Sequence, residues 1–239
     1  MAWVVDVRER RRRPEIMDQP GLDPRQHAGA LRCLQRVNWL SRPAAIFWPK
    51  LRDLARENPT KPLEILDVAT GGGDIPIKLW LRARRAGMNF RIDACDVSPV
   101  ALEHAQKSAA RSGAGMHFFE HDILAGPIPR EYDAVICSLF LHHLDMDDAV
   151  NALRRMSASA RRLVLVNDLR RSAIGWLMAW AGTRVMTTSH VARFDGPVSV
   201  EGAFTPEEAL DMAQRAEMSG AMVRPCWPWR WLLAWRRPA

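Results

Sequence analysis

The chain has 239 residues, 48% apolar and 26% charged, the balance of an ordinary globular domain. That balance, with four widely spaced cysteines (Cys33, Cys95, Cys137, Cys226), excludes disordered, collagen-like and disulfide-scaffold classes. The net charge of +7 sits at the two ends: residues 1–13 hold five arginines against Asp6 and Glu9, and residues 224–239 hold four arginines and no acid.

Residues 1–23 lack steady periodicity and contain Pro14, Pro20 and Gly21, so they are expected to form an irregular basic arm. Over 24–57 the apolar residues Leu31, Leu34, Val37 and Leu40, then Ile46, Phe47, Leu51 and Leu54, recur at helical spacing with a break at Pro43. Two short helices are expected, forming a lid over 24–58, with residues 58–62 as a linker to a main domain over 59–239.

Strands and helices then alternate. Strands are expected over 63–68, 90–95, 116–120, 132–138 and 162–166. Helices are expected over 74–86 (capped by Asp74, with Pro76 in its first turn), 98–111 (capped by Ser98) and 146–158. This repetition predicts an α/β fold with a parallel sheet and helices on both faces. Residues 174–186 read as a hydrophobic helix and 187–203 as a loop containing Gly196 and Pro197. Thr205-Pro206-Glu207-Glu208 opens a further helix, and 221–226 and 230–235 read as two final strands.

In open α/β sheets ligands bind beyond the carboxyl ends of the strands, at the topological switch point. The turn after the first strand reads Asp67-Val68-Ala69-Thr70-Gly71-Gly72-Gly73-Asp74. Consecutive glycines allow positive φ and close approach of a ligand, and the following helix points its N-terminal dipole at the same place. The second strand ends Cys95-Asp96-Val97-Ser98, placing Asp96 23 residues after Gly73. A spacing of about 20 residues is where an acid meets a ribose hydroxyl pair. The third strand ends Glu120-His121-Asp122-Ile123, a second acid suited to an exocyclic amine. The G-x-G-x-x-G spacing of a nicotinamide or flavin site and the G-K-[ST] of a P-loop are both missing.

These segments, with Tyr132-Asp133-Ala134-Val135, resemble class I S-adenosylmethionine-dependent methyltransferases, and among them the group that includes ubiquinone and menaquinone biosynthesis enzymes. The resemblance covers roughly residues 60–235, with Ala69 standing where many members have glycine. It implies a Rossmann-like, seven-stranded, mostly parallel sheet with a final antiparallel strand. It also implies S-adenosylmethionine as cofactor and S-adenosylhomocysteine as product. Carried onto this chain, Ala69, Thr70, Gly71 and Gly73 line the methionine moiety, and Asp67 orders the turn near the cofactor's amino group. Asp96 takes the ribose hydroxyls with Val97 against the adenine, Asp122 takes the adenine amine with Ile123 beside it, and Ser138 and Leu139 lie under the amino-acid end. Arg42, in the lid, is expected to pair with the cofactor carboxylate.

Methyl transfer from a sulfonium needs alignment and exclusion of water, and a base only where the acceptor loses a proton. It requires no metal. His190 and Asp168 are the acid–base candidates, with His143 third. The pair His142-His143 is expected to shape the substrate edge. Trp176 and Trp180, if they line the pocket, suit a flat aromatic or prenylated acceptor. Within the resembled family, Ser138-Leu139-Phe140-Leu141 replaces the N/D-P-P-Y/F that accompanies methylation of nucleic-acid amines or glutamine.

The expected function is therefore O- or C-methylation of a small phenolic, quinone-like or polyketide acceptor. The rivals are an RNA or protein methyltransferase docking through the basic ends, and a non-catalytic cofactor-binding module. Nucleic acid is disfavoured, because such binders carry positive charge on the folded body rather than at solvated ends. The longest apolar run, 173–182, is too short to cross a bilayer. With the Trp/Arg-rich C-terminus it leaves peripheral membrane contact open. The N-terminal charge follows a very short apolar stretch, the wrong order for a secretory signal. The expected compartment is the cytoplasm.

Overall fold

The computed structural model describes residues 7–16 and 43–238. Its sheet contains β1 (Leu63–Val68), β2 (Phe90–Asp96), β3 (His117–Glu120), β4 (Tyr132–Ser138), β5 (Ala160–Leu169), β6 (Met222–Cys226) and β7 (Arg230–Arg236). The strand order is β3-β2-β1-β4-β5-β7-β6. β1 to β5 run parallel, and β7 is antiparallel to both β5 and β6. The central strands are buried on both faces, which is why they read as near-continuous apolar runs. Pro225 is tolerated because β6 is an edge strand.

The helices are α1 (Pro43–Arg56), α2 (Asp74–Arg85), α3 (Pro99–Ser112), α4 (Met146–Ser159), α5 (Ala173–Met186), α6 (His190–Gly202) and α7 (Pro206–Arg215). Side-chain alternation along the strands splits the core in two. Ile65, Ile92, Ile136 and Leu165 face Phe47 and Leu51 of α1 and Leu79 of α2. Leu66, Val135, Val164 and Val166 face Leu153 and Met156 of α4 and Met212 of α7. Ser98 caps α3, and Thr205 and Glu208 form a reciprocal capping box on α7.

The structure departs from the sequence expectations at five places. Gly73, not Asp74, precedes α2, because its left-handed φ of 75° turns the chain into the helix without a side-chain cap. α1 begins at Pro43, carries Pro49 inside it and packs in the core. Residues 43–56 therefore belong to the body, and the expected first helix lies outside the described residues. Residues 190–202 form a helix rather than a loop. Ser189 caps α6, and a Cβ at Gly196 would lie 2.7 Å from Thr183 Cγ2 of α5. Glycine here marks close helix packing, not a break. β5 extends to Leu169 because Asn167, Asp168 and Leu169 pair with β7.

The basic ends are the fifth difference, since their described parts are anchored on the body, although most of their arginines stay exposed. Residues 7–16 are irregular but docked. Arg10 donates to the carbonyls of Gly202 (2.6 Å), His142 (3.2 Å) and Leu144 and stacks over Phe204. The carbonyl end of a helix attracts cations, and Gly202 closes α6. Burial lowers the Arg10 guanidinium to about 10, opposed by the charge of Glu208. At the other end, Trp231 and Trp235 are buried in β7 and Arg236 pairs with Glu57 at 2.7 Å.

Overpacking at the α5–α6 contact gives a direct test. Gly196→Ala is expected to lower Tm by roughly 2–10 °C, and adding Thr183→Ser, which removes Cγ2, should restore most of that loss. An unchanged Tm in the single variant would show that the two helices are not in tight contact.

Candidate active site

Parallel pairing brings the carboxyl ends of the strands to one edge. Val68 is in register with both Cys95 and Cys137, Asp96 with Glu120, and Ser138 with Asn167. The chain winds outward from β1 through β2 to β3, then returns to β4 on the other side of β1. The turn after β1 therefore stands at the switch point.

That turn is held by a small set of bonds. Ala69, Gly71 and Gly73 have φ of 53°, 53° and 75°. For Ala69, a side chain in the left-handed region costs about 1–2 kcal/mol. Thr70 N–H donates to the Cys95 carbonyl at 3.0 Å, and Thr70 Oγ1 donates to Asp67 Oδ2 at 2.6 Å. Gly71 N–H donates to Asp96 Oδ2 at 2.7 Å, and Ser98 N–H donates to Asp96 Oδ1 at 2.9 Å. One carboxylate thus ties the glycine turn to the start of α3. A Cβ at Gly73 would lie 2.9 Å from Ala105 Cβ, so this glycine lets the turn close against α3. A Cβ at Gly71 would meet nothing within 4 Å. The space above Gly71 is open.

The remaining cofactor candidates lie along the same edge. Val97 is 64% exposed, Asp122 is exposed and accepts from Leu124 N–H at 2.7 Å, and Ile123 is buried. Leu139 has φ of 57° and donates its N–H to the Asn167 carbonyl at 2.9 Å. Ser138 Oγ is buried with no hydrogen-bond partner among the described residues. Arg42 lies outside the described residues.

On the acceptor side, the 3₁₀ turn Leu141–His143 brings two of the three acid–base candidates together. Asp168 Oδ1 lies 2.7 Å from His142 Nδ1 and accepts from Leu169 N–H at 2.7 Å, and Oδ2 accepts from His142 N–H at 3.2 Å. Burial opposes ionisation of Asp168, but the charge and hydrogen bond of His142 outweigh it and hold the carboxyl below its ordinary range. The rings of His142 and His143 are 4.1 Å apart. His190 is not part of this group. It is exposed at the first residue of α6, whose opposite end, Gly202, abuts the His142 carbonyl. A helix of that length separates the two by about 18 Å.

Sequence reasoning missed Glu15. It is 7% exposed, accepts from Ser199 Oγ and faces both histidines. No local pattern marks it, because its partners come from α6 and the 3₁₀ turn. Of the two candidate pocket tryptophans, Trp176 donates from Nε1 to Glu201 at 2.9 Å, and Trp180 lies under Arg184.

Residues 65–162 match the family model described as "Methyltransferase domain". That matched stretch holds the glycine turn and the strand-end acids, and it lies within a Rossmann-like, mostly parallel seven-stranded sheet. Among curated proteins, the demethylmenaquinone methyltransferase of Thermus thermophilus is 36% identical over 116 residues, 48% of this chain and 50% of that protein. The demethylmenaquinone methyltransferase of Deinococcus radiodurans is 34% identical over 107 residues, covering 44% and 43%. The matched stretch thus spans about half the length of these relatives or less. Among solved structures, the plantazolicin methyltransferase BpumL in complex with a triazolic desmethylPZN analogue and S-adenosylhomocysteine superposes with a TM-score of 0.66 at 14% identity, covering 90% of this chain and 91% of that one. The magnesium protoporphyrin IX methyltransferase of Synechocystis with bound S-adenosylhomocysteine gives 0.57 at 15% identity, covering 93% and 91%. These likenesses show the fold.

Asp67 supplies a pH signature. Burial, reinforced by the charge of Asp96 and opposed by the Thr70 hydrogen bond, pushes its carboxyl from 3.8 up to about 7. Between those values the folded protein binds more protons than the unfolded chain, so this group's contribution to stability falls as pH rises. Asp67→Asn is therefore expected to gain stability relative to wild type between about pH 4 and 8, read from urea midpoints of the cofactor-free proteins. A pH-independent difference would contradict a buried, proton-holding Asp67.

Proposed function

We propose that this chain transfers a methyl group from S-adenosylmethionine to an oxygen or carbon of a small phenolic, quinone-like or polyketide acceptor. The observation that carries the reading is the open glycine turn bound to Asp96. The cofactor fits the residues present. The space above Gly71 admits a ligand against bare backbone, and the orphaned Ser138 hydroxyl stands where a polar ligand group would complete its bonding. Bound there, the cofactor supplies an electrophilic methyl on a sulfonium sulfur.

The chain's own residues bind, orient and exclude water. Asp96, with both oxygens already fixed by backbone N–H groups, presents its remaining lone pairs to the ribose hydroxyls. Val97 would meet the adenine, with Ile123 beside it and Asp122 for the exocyclic amine. Ala69, Thr70, Gly71 and Gly73 border the methionine portion, with Asp67 beneath it and Ser138 and Leu139 at its amino-acid end. Arg42 is proposed for the carboxylate. Where the acceptor is a phenol or enol, a base of the chain must take up its hydroxyl proton. His143, partly exposed, is the candidate proton acceptor of the 3₁₀ turn. Asp168 acts through His142 as a positioning residue, and His190 serves only if an acceptor reaches the far end of α6. Cys95 and Cys137 are buried free thiols, and burial pushes Cys95 up to about 12, so neither is a nucleophile for the transfer.

A second reading concerns partners. No helix among the described residues is long and apolar enough to cross a membrane. On α5, however, Ile174, Leu177, Met178 and Val185 are exposed along one side, Val185 by 87%. Peripheral contact with a bilayer would bring an apolar acceptor to this end of the fold. Flotation with anionic liposomes is expected to carry the wild type, and Leu177→Asp/Val185→Asp is expected to lose most of it. Equal flotation of both would remove α5 as the contact.

Calorimetric titration tests the main reading. S-adenosylmethionine and S-adenosylhomocysteine are expected to bind with Kd on the order of micromolar, and Asp96→Asn to weaken both at least tenfold, about 1.4 kcal/mol. No binding by wild type would overturn the proposal. Turnover with phenols or quinones supports the small-acceptor reading. Turnover only with RNA or peptide substrates, or binding without turnover of any acceptor, supports its rivals.

A further inference from the structure

Three ligand-type atoms converge where the N-terminal arm meets the 3₁₀ turn. Glu15 Oε1 lies 3.7 Å from His142 Nε2 and 3.9 Å from His143 Nδ1. All three atoms fall within 4.8 Å of one another. These separations are too long for the carboxylate to hydrogen-bond either ring. A cation held tetrahedrally at about 2.0–2.2 Å sets donor–donor edges of about 3.3 Å. Closing the two Glu15 edges by about half an ångström would reach that geometry.

The surroundings prepare the donors. Asp168 Oδ1 lies 2.7 Å from His142 Nδ1, so that nitrogen carries a proton, and Nε2, which gives up its own proton when a metal binds, faces Glu15. A carboxylate behind an imidazole is the arrangement that fixes tautomer and ring orientation at histidine metal sites. Ser199 Oγ donates to Glu15 and orients it. Glu15 and His142 are buried, while His143 is 31% exposed and leaves one side open for water as a fourth ligand. Glu15 and Asp168 bring two negative charges, which balance a divalent ion. Of the nearby cations, Arg10 and Arg12 donate to backbone carbonyls and Arg13 pairs with Glu201.

We propose that Glu15, His142 and His143 bind one divalent transition-metal ion of the zinc class, with Asp168 orienting His142. Two nitrogen donors and one carboxylate suit zinc and its neighbours rather than magnesium or calcium. The ion clamps the arm onto the end of the domain. It also makes His143 a ligand instead of a proton acceptor, since the same nitrogen cannot do both. The proposal shares His143 with the methyl-transfer reading, but its test reads metal binding and needs neither cofactor nor acceptor.

The test uses the full chain stripped with EDTA and titrated with Zn²⁺. Wild type is expected to bind one equivalent with micromolar or tighter affinity, and Glu15→Gln and His143→Ala each to weaken it at least tenfold. His117→Ala, a change on the surface of β3, is expected to bind as wild type. Glu15→Gln keeps an acceptor for Ser199, so it decides the matter even if His143→Ala does not fold. Zn²⁺ is also expected to slow tryptic cleavage after Arg10, Arg11 and Arg12 in wild type but not in Glu15→Gln. Failure of wild type to bind, or unchanged binding and protection in Glu15→Gln, would overturn the proposal.

Discussion

The Asp96 carboxylate, accepting from Gly71 N–H on one oxygen and Ser98 N–H on the other, is the constraint on which the site depends. A carboxylate bonded by backbone donors holds its place without side-chain freedom to lose, and such charge-assisted bonds are roughly twice as strong as neutral ones. It joins the turn after β1 to the turn after β2 across two parallel strands whose register already aligns their ends. The positive φ values of Ala69, Gly71 and Gly73 follow from closing that turn, and Ala105 of α3 leaves room for no side chain at Gly73. The same contacts that stabilise the turn therefore leave bare backbone beside a fixed acid, the arrangement a ribose-bearing ligand needs.

Electrostatics divide the carboxyl edge into two regimes. Asp67 is buried next to Asp96 without a cation, so its proton is held to about 7. Asp168 is equally buried, yet the neighbouring imidazole of His142 keeps it ionised. Two aspartates at corresponding strand ends thus shift in opposite directions, Asp67 raised by burial and Asp168 lowered by His142. The first lies under the proposed cofactor and the second under the proposed acceptor. The arm adds a third element by bringing Glu15 to the far side of His142 and by using Arg10 and Arg12 to occupy carbonyls at the ends of α6 and the 3₁₀ turn.

The strands, the glycine turn and the strand-end acids of the first half were legible because their signals are local. β1 and β4 are doubly buried strands, the glycines are consecutive, Asp96 closes β2 and Asp122 stands two residues beyond β3. The capping boundaries at Ser98 and Thr205 were legible for the same reason. The acceptor half is assembled from residues far apart in the chain, and the local signals there mislead. Gly196 and Pro197 read as loop residues, although Gly196 marks packing against Thr183. Asn167-Asp168-Leu169 looks like a strand end, although pairing with β7 carries the strand through it. Arginines 10–13 look solvated, although backbone carbonyls and Glu201 take up the side chains of Arg10, Arg12 and Arg13. Nothing near Glu15 in sequence points to the two histidines it faces.

The central claim is that the turn tied to Asp96 is a preformed cofactor site. A crystal structure of the chain with S-adenosylhomocysteine tests it most directly. The account predicts the ribose hydroxyls within hydrogen-bond distance of Asp96, the adenine between Val97 and Ile123, and the Gly71–Asp96 bond unchanged. A ligand bound elsewhere, or a turn that must break its bond to Asp96 to admit one, would contradict it.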